Sequence, residues 1–582
     1  MSLSVDENNI PLENRKGSLV GSDGHKKPRD FDDVLEIVGS TSNYQRFFLY
    51  AILLPLSIFE SFFGFLLWFL IDSPDHWCNV PRNASQEENL DLWKNRTIPR
   101  EPNGDFSKCK MFGPNDTTIS CNAGWEYDFS TVDYHSIVTD YDWVCDKSHY
   151  ATWVYTAGNI GHVIGTFVLG YLADKIGRKP VFIITLVIFS VGRAVSLFFA
   201  YDIWMFMILS LIVSTATPMF AISCNTIGLE LCGQDYRAWT YSVTWMAIAI
   251  AVPIVPCLTY LVPNWFILGW VTILMGSLSY VLLPWMPESP RWLLSVGKID
   301  KVQGIMKMVA KWNGTSDKIS DEEMLEMLRE AETTQLKQKE TEGESVLKLF
   351  YNRRMAMRTL IITFVWYVDS SIKAKTIYFR AMNGLVSYGL NLNSLNLHGH
   401  RYLNFTLVIL MEVPGGLLGA YLAEKFGRRW TQVLSFLVCA VACTTGSYYS
   451  AIGSADDTFA TTAVIISSNI AKFAVTMSFL VIYLQATELF PTPFRTTGSG
   501  LASTTSSITL ILVPYIVYSG KSSLTTPWIV SAVMSYAGMI AAAFIPETVN
   551  HNLPETLEDA ANFGKGRKFW SFNLPKKDDI KK

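Results

Sequence analysis

Ionisable residues interrupt several long apolar stretches of this sequence, where a charged side chain is costly. Glu60 lies in IFESFFGF, Glu412 in LVILMEVPGG and Lys472 in NIAKFAVTMSF. Arg193 and Asp369 have similarly apolar surroundings. Such residues either bind a charged ligand or form a buried pair that fixes the packing. We therefore predict Glu60, Glu412 and Lys472 as ligand-binding residues, with buried structural pairs as the alternative.

Aromatic residues in the same stretches add a second kind of binding group. The faces of aromatic rings attract a protonated or quaternary amine by about 0.5–2 kcal/mol per contact. An ordinary packing role is the alternative for each of them. The aromatic candidates are Trp366, Tyr367, Phe473 and Tyr483, and further aromatic residues of these stretches are Trp153, Tyr155, Trp245 and Phe479.

A repeated polar turn indicates how the apolar stretches are arranged. GYLADKIGRKP, residues 170–180, returns 250 positions later as AYLAEKFGRRW, residues 420–430. ELCGQDYR is echoed 258 positions on by ELFPTPFR, and the Pro-Glu-Ser at 287–289 is echoed 259 positions on by the Pro-Glu-Thr at 546–548. Repeats in one order at nearly one offset indicate a duplication, and two facing repeats are typical of a membrane carrier.

Charged residues of these motifs are the candidates for gating. A carboxylate is stabilised at the positive end of a helix, and an arginine offers a fork to a carboxylate. Charge pairs at the mouth of a carrier allow bistable closure if they break when the halves move. The alternative is that these residues only orient the chain during insertion. The gating candidates are Asp174, Arg178, Glu230 and Arg237 in the first half, and Glu424, Arg428, Glu488 and Arg495 in the second.

Composition favours membrane helices for the apolar stretches. The chain has 582 residues, of which 49% are hydrophobic and 17% charged, against roughly 25% charged residues in a soluble protein. About 20 apolar residues cross a bilayer as a helix. We therefore predict an all-α polytopic membrane protein with twelve spans. The predicted spans are 47–71, 150–173, 181–200, 203–227, 238–262, 265–285, 359–390, 401–423, 430–451, 459–485, 496–519 and 527–546.

The polar segments divide the predicted chain into domains. No cleavable signal sequence precedes the first span. Between the halves, SDEEMLEMLREAETTQLKQKE favours amphipathic helices with Met324, Leu325 and Leu328 on one stripe, and a loose charged linker is the alternative. The predicted domains are the N-terminal segment 1–46, the first six-helix half 47–286, the linker helices 287–358, the second six-helix half 359–546 and the C-terminal segment 547–582.

Charge and cysteine placement predict the orientation. The repeated turns are rich in lysine and arginine, which the positive-inside rule places in the cytoplasm together with both termini. The long loop 72–149 is then outside, and its acceptor patterns at Asn83, Asn95 and Asn115 predict glycosylation. An even number of cysteines in an oxidising compartment predicts two disulfides in one of three pairings. These cysteines are Cys78, Cys109, Cys121 and Cys145.

Several function classes lack a supporting pattern. Neither a CxxC pair nor a nucleotide-binding glycine pattern lies in a suitable context, so an ATP-driven pump and an enzyme are disfavoured. Cys439 and Cys443 are interpreted as small packing residues and His398 with His400 as an outer turn, so no metal and no cofactor is implied. The expected partners are a small organic ion and the lipid bilayer, with no nucleic acid and an open oligomeric state.

The motifs resemble a known family. The G-x-L-A-D-x-x-G-R-K turn resembles the signature loop of the major facilitator superfamily, and PESPRWLL resembles the segment after the sixth helix in its sugar-porter and organic-ion branches. SIVTDYDWVCD, FDDVLEIVGSTSNYQR and ELFPTPFR resemble the organic cation, anion and carnitine transporters of solute carrier family 22. The resemblance covers about residues 30–560. It implies the major facilitator fold, with twelve helices in two pseudo-symmetric six-helix halves.

Two features of this sequence depart from that family. Nineteen residues beyond Glu488, the family tends to be acidic in cation carriers and basic in anion or carnitine carriers. This chain has Ser507 there, a candidate substrate-binding residue that by itself leaves cation, zwitterion and anion open. About 14 extra residues, 371–384, also bring Lys373, Lys375 and Arg380 into the predicted seventh helix. We expect either a displaced helix with the insert looped out or an unusual form of the chain, and we favour the second.

The resemblance and the intramembrane charges together give a function. The leading hypothesis is a glycosylated plasma-membrane carrier that moves small organic cations or zwitterions, such as an amine or a carnitine-like molecule, by alternating access. Glu412 and Glu60 favour that substrate class. The alternative is an organic anion carrier that uses Lys472 and Arg193, and a more distant one is a transport-inactive receptor or scaffold, because of the insert.

Overall fold

Long apolar helices form most of the structure, because a helix satisfies its own backbone hydrogen bonds within lipid. The computed structural model describes residues 31–80, 90–100, 106–113, 117–129, 134–341, 373–397, 400–453, 457–489, 506–520, 523–545 and 547–548. Within these ranges, nine helices are long and apolar enough to cross a membrane. They coincide with nine of the predicted spans. The chain is a multi-pass membrane protein.

The helices follow one another along the chain with short connections. As far as the linker they are α1 (Phe31–Val38), α2 (Asn43–Leu70), α3 (Leu90–Thr97), α4 (Ile137–Asp140), α5 (His149–Ile176), α6 (Arg178–Phe198), α7 (Ile203–Glu230), α8 (Gln234–Ala251), α9 (Ile254–Leu261) and α10 (Trp265–Ser277), which shorter turns continue to Trp285. Those that follow are α11 (Pro290–Ser295), α12 (Ile299–Asn313), α13 (Asp321–Thr341), α14 (Lys373–Asn393), α15 (Arg401–Leu410), α16 (Glu412–Lys425), α17 (Arg428–Ile452), α18 (Thr458–Leu489), α19 (Val513–Ser519) and α20 (Thr526–Ala543).

Glycines let the two halves repeat one close packing. A Cβ atom on Gly165 of α5 would lie 1.9 Å from the carbonyl oxygen of Thr215 in α7. A Cβ atom on Gly415 of α16 would lie 2.7 Å from the carbonyl oxygen of Phe473 in α18. The two glycines are 250 positions apart, the same offset as the repeated turns. The pairs α5–α7 and α16–α18 therefore pack backbone against backbone in the same way.

The linker helices pack against the first half. Met306 of α12 and Met324 and Leu328 of α13 are buried in one apolar cluster with Phe31 of α1. Leu325, predicted on the same stripe, is half-buried. The buried residues recur at helical spacing, which is why a segment so rich in charge forms ordered amphipathic helices.

Short strands and two disulfides build a small domain at one end of the bundle. Disulfides join Cys78 to Cys121 and Cys109 to Cys145, one of the three pairings that the sequence left open. We call this end the loop face, and the end with the turns at Gly177 and Gly427 the turn face. The antiparallel strand pairs are β1 (His76–Cys78) with β4 (Trp125–Tyr127) and β2 (Lys110–Phe112) with β3 (Thr118–Ser120).

The expectation of a looped-out insert is wrong for the residues that are described. Residues 373–384 are helical and continue without a break into the rest of α14, which ends at Asn393. Asn383, within the insert, donates its side-chain N–H to the carbonyl oxygen of Val475 in α18 at 3.2 Å. A continuous helix keeps the backbone paired at membrane depth, which a loop in lipid does not. Lys373, Lys375 and Arg380 therefore occupy the first two turns of α14.

Candidate functional site

A lysine and a glutamate meet inside the second half. Nζ of Lys472 in α18 lies 2.7 Å from Oε1 of Glu412 in α16. The same ammonium donates to Oγ of Ser387 in α14 at 2.9 Å. Lys472 is fully buried, whereas 22% of the Glu412 side chain is exposed. A buried charge is tolerated when it is paired and hydrogen-bonded. The pair therefore presents one partly accessible carboxylate, held in place from behind by the lysine.

The helix that carries Glu412 has a local irregularity beside it. The span predicted as 401–423 consists of α15, which ends at Leu410, and α16, which begins at Glu412. Pro414 has no N–H for the preceding turn, which weakens a continuous helix here. Met411, between α15 and α16, keeps a helical backbone, and its carbonyl oxygen accepts the N–H of Gly415 at 3.1 Å, so Glu412 lies within one continuous span from Arg401 to Lys425.

Glu60 and Arg193 occupy the first half. Glu60 lies near the middle of α2 and is half-buried. Among the residues that the structure describes, it has no ion-pair partner. Arg193 lies in α6 with 3% of its surface exposed, and its Nη1 has no hydrogen-bond partner among the described residues. Glu60 therefore keeps part of its residue surface accessible, whereas Arg193 is enclosed.

The aromatic candidates are only partly brought together. Phe473 is half-buried in α18, next to Lys472 in the chain. Trp245 of α8 and Phe479 of α18 meet across the two halves with ring centroids 5.8 Å apart. Trp366 and Tyr367 lie outside the described residues, and so does the side chain of Tyr483. Ser507 is half-buried in the helical segment 506–510, which precedes α19.

The first repeated turn is held by a glutamate that the sequence did not single out as a gating residue. Oε1 of Glu288 accepts the backbone N–H of Arg178 at 2.9 Å and that of Lys179 at 3.2 Å, at the first turn of α6. Gly177 precedes them with φ of 110° and leaves room for this carboxylate, which a Cβ atom would meet at 2.4 Å. The side chain of Arg178 also pairs with Asp174 at 3.0 Å.

The second repeated turn has the same construction. Glu547 accepts the backbone N–H groups of Arg428 and Arg429 at 2.9 and 3.0 Å. Gly427 has φ of 93°, and a Cβ atom there would lie 2.4 Å from Glu547. Nη1 of Arg428 donates to the carbonyl oxygen of Ala423 at 3.2 Å. The repeat of Pro-Glu-Ser and Pro-Glu-Thr was the signal in the sequence from which Glu288 and Glu547 could have been found.

The other gating candidates lie near these turns, with partners that the sequence did not predict. Glu230 accepts a hydrogen bond from the hydroxyl of Ser289, beside Glu288. Arg237 pairs with Asp32 at 2.9 Å. Glu230 and Arg237 therefore use different partners, because α1 brings Asp32 to the end of α8.

Asp32, which also pairs with Arg291, was missed, since nothing in FDDVLEIV marks it as an ion-pair residue. In the second half, Glu424 is exposed. Arg495 and the side chain of Glu488 lie outside the described residues.

Polar contacts join the halves at the loop face. Arg401, the first residue of α15, lies 3.6 Å from Asp72 and 3.9 Å from Asp75, which follow α2. It also donates to the carbonyl oxygen of Ser73 at 2.7 Å. Lys108 of the disulfide-bonded domain lies 2.6 Å from Asp75. Asp75 therefore stands between a cation of that domain and a cation of the second half.

Charge governs the protonation of Asp75. Burial by itself raises the pKa of this carboxyl, but Lys108 and Arg401 outweigh burial and lower the pKa to about 2. Asp75 is therefore ionised at any physiological pH. Of the predicted glycosylation sites, Asn95 is exposed at the surface of α3, and Asn83 and Asn115 lie outside the described residues.

Comparisons with known proteins agree with this architecture. The family described as sugar (and other) transporter matches residues 110–559. The carcinine transporter of Drosophila melanogaster is 30% identical over 93% of this chain and 80% of its own, and the beta-alanine transporter of that organism is 30% identical over 91% and 89%. Solute carrier family 22 member 16 of Xenopus laevis is 30% identical over 85% and 83%.

A solved structure shares the fold. The xylose transporter XylE from E. coli, in a partially occluded inward-open conformation, covers 86% of this chain and 98% of its own, with a TM-score of 0.56 and 15% identity. The chain is thus a transporter of the major facilitator type, and not an enzyme. It belongs to the sugar (and other) transporter family, among relatives of the solute carrier family 22 type.

Proposed function

We propose that this transporter moves small organic cations or zwitterions that carry an amine across the plasma membrane. The turn face and both termini are cytoplasmic in this proposal, and the loop face with its disulfides is extracellular. Lysine and arginine in both repeated turns support that orientation. Among the relatives, one is named for carcinine and another for beta-alanine, an amine-containing zwitterion at neutral pH.

The observation that carries the substrate class is the difference in exposure between acids and bases. Glu60 and Glu412 keep accessible surface within the bundle, whereas Arg193 and Lys472 are buried. An arriving amine thus meets a carboxylate before it meets a base. Lys472 neutralises Glu412 in the absence of substrate, and this lowers the cost of a buried carboxylate. A zwitterion would place its ammonium group at Glu412, and its carboxylate would reach the buried Lys472 once the ion pair opens.

Alternating access is supported by where the halves are joined. Arg401 of the second half contacts Asp72 and Asp75 of the first at the loop face. At the turn face, Glu288 and Glu547 each hold a turn of their own half. Separation of the halves at the turn face therefore leaves both of these caps intact. Opening the loop face instead requires the contacts of Arg401 to break.

Uptake measurements test the substrate class. Cells that express the full chain are given a radiolabelled cation, a carnitine-like zwitterion or an aromatic anion, and we expect uptake of the first two. Glu412→Gln leaves the amine without a partner, so we expect the apparent affinity of this variant for the cation to fall at least about thirtyfold, because a lost buried charge partner costs about 2–5 kcal/mol. Glu60→Gln tests the second carboxylate in the same way.

Controls distinguish the cation-carrier hypothesis from the anion-carrier and receptor hypotheses. Glu323→Gln removes an exposed carboxylate of the linker helix α13 and should leave uptake unchanged. An inside-negative potential favours cation entry by about 2.3 kcal/mol per charge per 100 mV, so depolarisation should reduce uptake of the cation more than that of the zwitterion. If the cells take up only the anion, and Lys472→Gln abolishes that uptake, the protein is instead an anion carrier. Surface expression without uptake of any of the three would favour a receptor or scaffold.

A further inference from the structure

A cavity of about 600 Å³ lies at the turn face, beside the linker. It is enclosed by the start of α2, the turn before α6, the end of the span that finishes at Trp285, and α12. Neither Glu412 nor Lys472 lines it, so it is distinct from the carboxylates of the proposed transport site. Its occupant must be inferred from the chemistry of its own walls.

The charge on the walls is positive. Lys179, Lys298 and Lys301 line the cavity, and Lys298 and Lys301 are exposed. Glu288 also lines it, but both of its carboxylate oxygens accept backbone N–H groups at the start of α6. Nζ of Lys179 already donates to the carbonyl oxygen of Met286 at 2.6 Å, so Lys298 and Lys301 are the ammonium groups that remain open to a ligand. With the Glu288 carboxylate engaged in hydrogen bonds, these two lysines favour an anion.

Large apolar side chains of the same cavity are left uncovered. Trp285 is 53% exposed, Trp312 49% and Met308 38%. Trp285 ends a membrane span, where tryptophan rings prefer the level of the lipid headgroups. The cavity therefore combines a positive rim with an apolar wall at the depth where bilayer meets water.

We propose that this cavity binds an anionic phospholipid of the cytoplasmic leaflet. The lysines hold the phosphate groups, and the upper acyl carbons lie against Trp285, Met308 and Trp312. Basic pockets beside membrane helices on the cytoplasmic side suit such headgroups. A soluble phosphate compound would satisfy the lysines but would leave the apolar wall uncovered. The assignment of the leaflet rests on the orientation given under the proposed function.

Native mass spectrometry of the purified full chain tests the site without measuring transport. The protein is titrated with phosphatidylinositol 4,5-bisphosphate, phosphatidylcholine and soluble inositol trisphosphate. We expect the anionic lipid to bind most tightly. Lys298→Gln with Lys301→Gln should weaken its binding about tenfold or more, since each lysine near an anionic surface contributes about 1 kcal/mol. Lys311→Gln with Lys318→Gln, two exposed lysines outside the cavity, serves as the matched control.

A second variant tests the cavity independently of charge. A Cβ atom on Gly304, which lines the cavity, meets no atom within 4 Å, so Gly304→Trp fills the space without a clash at its Cβ. It should reduce binding of the lipid while the thermal midpoint stays within a few degrees of the parent. Three results would each overturn the proposal. Phosphatidylcholine would bind as tightly as phosphatidylinositol 4,5-bisphosphate, soluble inositol trisphosphate would bind as tightly as that lipid, or Gly304→Trp would bind the lipid as tightly as the parent protein does. Mass spectrometry measures lipid binding directly. If the uptake assays contradict the proposed substrate class, the result for the lipid site therefore still holds.

Discussion

Lys472 and Glu412 are linked across two membrane helices, with 2.7 Å between Nζ and Oε1. Because the two residues form an ion pair, either single substitution leaves a charge without its partner. The lysine is buried more deeply than the glutamate. The two single variants differ, however, in which charge remains and how deeply it lies. This difference separates the contribution of the pair to stability from its contribution to binding.

The pair should be needed for stability. Glu412→Gln leaves Lys472 charged and fully buried, at a cost of about 3–5 kcal/mol for a broken buried pair. We expect a lower thermal midpoint for the detergent-solubilised variant. The double variant Glu412→Gln with Lys472→Met should recover most of that stability without recovering affinity for the cation. A double variant as unstable as Glu412→Gln would contradict the pairing.

The first repeated turn should depend on its glycine. Gly177→Ala places a Cβ atom 2.4 Å from the carboxylate of Glu288, at a φ of 110°. We expect a loss of about 1–3 kcal/mol, seen as a lower thermal midpoint. Gly170→Ala is the matched control in the same motif, because its Cβ atom would meet only the sulfur of Met219, at 4.0 Å. Equal effects of the two substitutions would argue against the cap by Glu288.

Arg178 should bias the conformation more than the expression of the protein. Its side chain pairs with Asp174 and donates to the carbonyl oxygen of Ala173. Arg178→Gln removes the ion pair, which is largely exposed on its Asp174 side and therefore contributes little to stability. We expect normal surface expression with altered labelling of cysteines introduced at the turn face. Unchanged labelling would count against a gating role.

The loop-face contact should be insensitive to mild acid. The pKa of Asp75 lies below its ordinary value of 3.8, so its contribution to stability is complete above about pH 4 and is lost as the pH falls toward about 2. Hydrogen exchange in α15 should therefore be equal at pH 7.4 and pH 5 once corrected for intrinsic rates. Asp75→Asn should raise that exchange at both values, whereas Asp146→Asn, an exposed control, should not.

The disulfides should follow the pairing in the structure. Mass spectrometry of unreduced peptides from surface-expressed protein should find Cys78 with Cys121 and Cys109 with Cys145. Either of the other two pairings, or free thiols at two of these positions, would refute the pairing in the structure. The result also identifies which segments of the loop are joined.

Periodicity and duplication were sufficient to predict the nine membrane helices found among the described residues, but not the irregularities inside them. A hydropathy pattern averages over a whole span, so it predicted residues 401–423 as one span, which the helix Arg401–Lys425 confirms, but not the local irregularity at Met411. The family pattern left two explanations for residues 371–384, a looped-out insert and an unusual form of the chain, of which the second was favoured. The helix Lys373–Asn393 contradicts only the first, because a helix pairs its own backbone groups.

The residues of the site could be predicted as types but not as partners. An intramembrane charge is visible in the sequence, so Glu412 and Lys472 were both found, yet their contact depends on the packing of α16 against α18. Glu288 and Asp32 were missed because each acts on a helix distant in the sequence. In the case of Glu288, the repeat at 546–548 gave the information needed. No comparable repeat marks Asp32.

The disulfide-bonded domain, which belongs to the first half in sequence, is also linked to the second half. Through Asp75, its Lys108 shares an anion with Arg401, the first residue of a helix in the other half. An antibody whose epitope includes Lys108 would thus compete for a group that helps to hold the loop face closed. In the proposed orientation, such a reagent would act on the protein from the extracellular side, without contacting Glu412 or Lys472. Selection of antibodies for one conformer would be a practical use of this geometry.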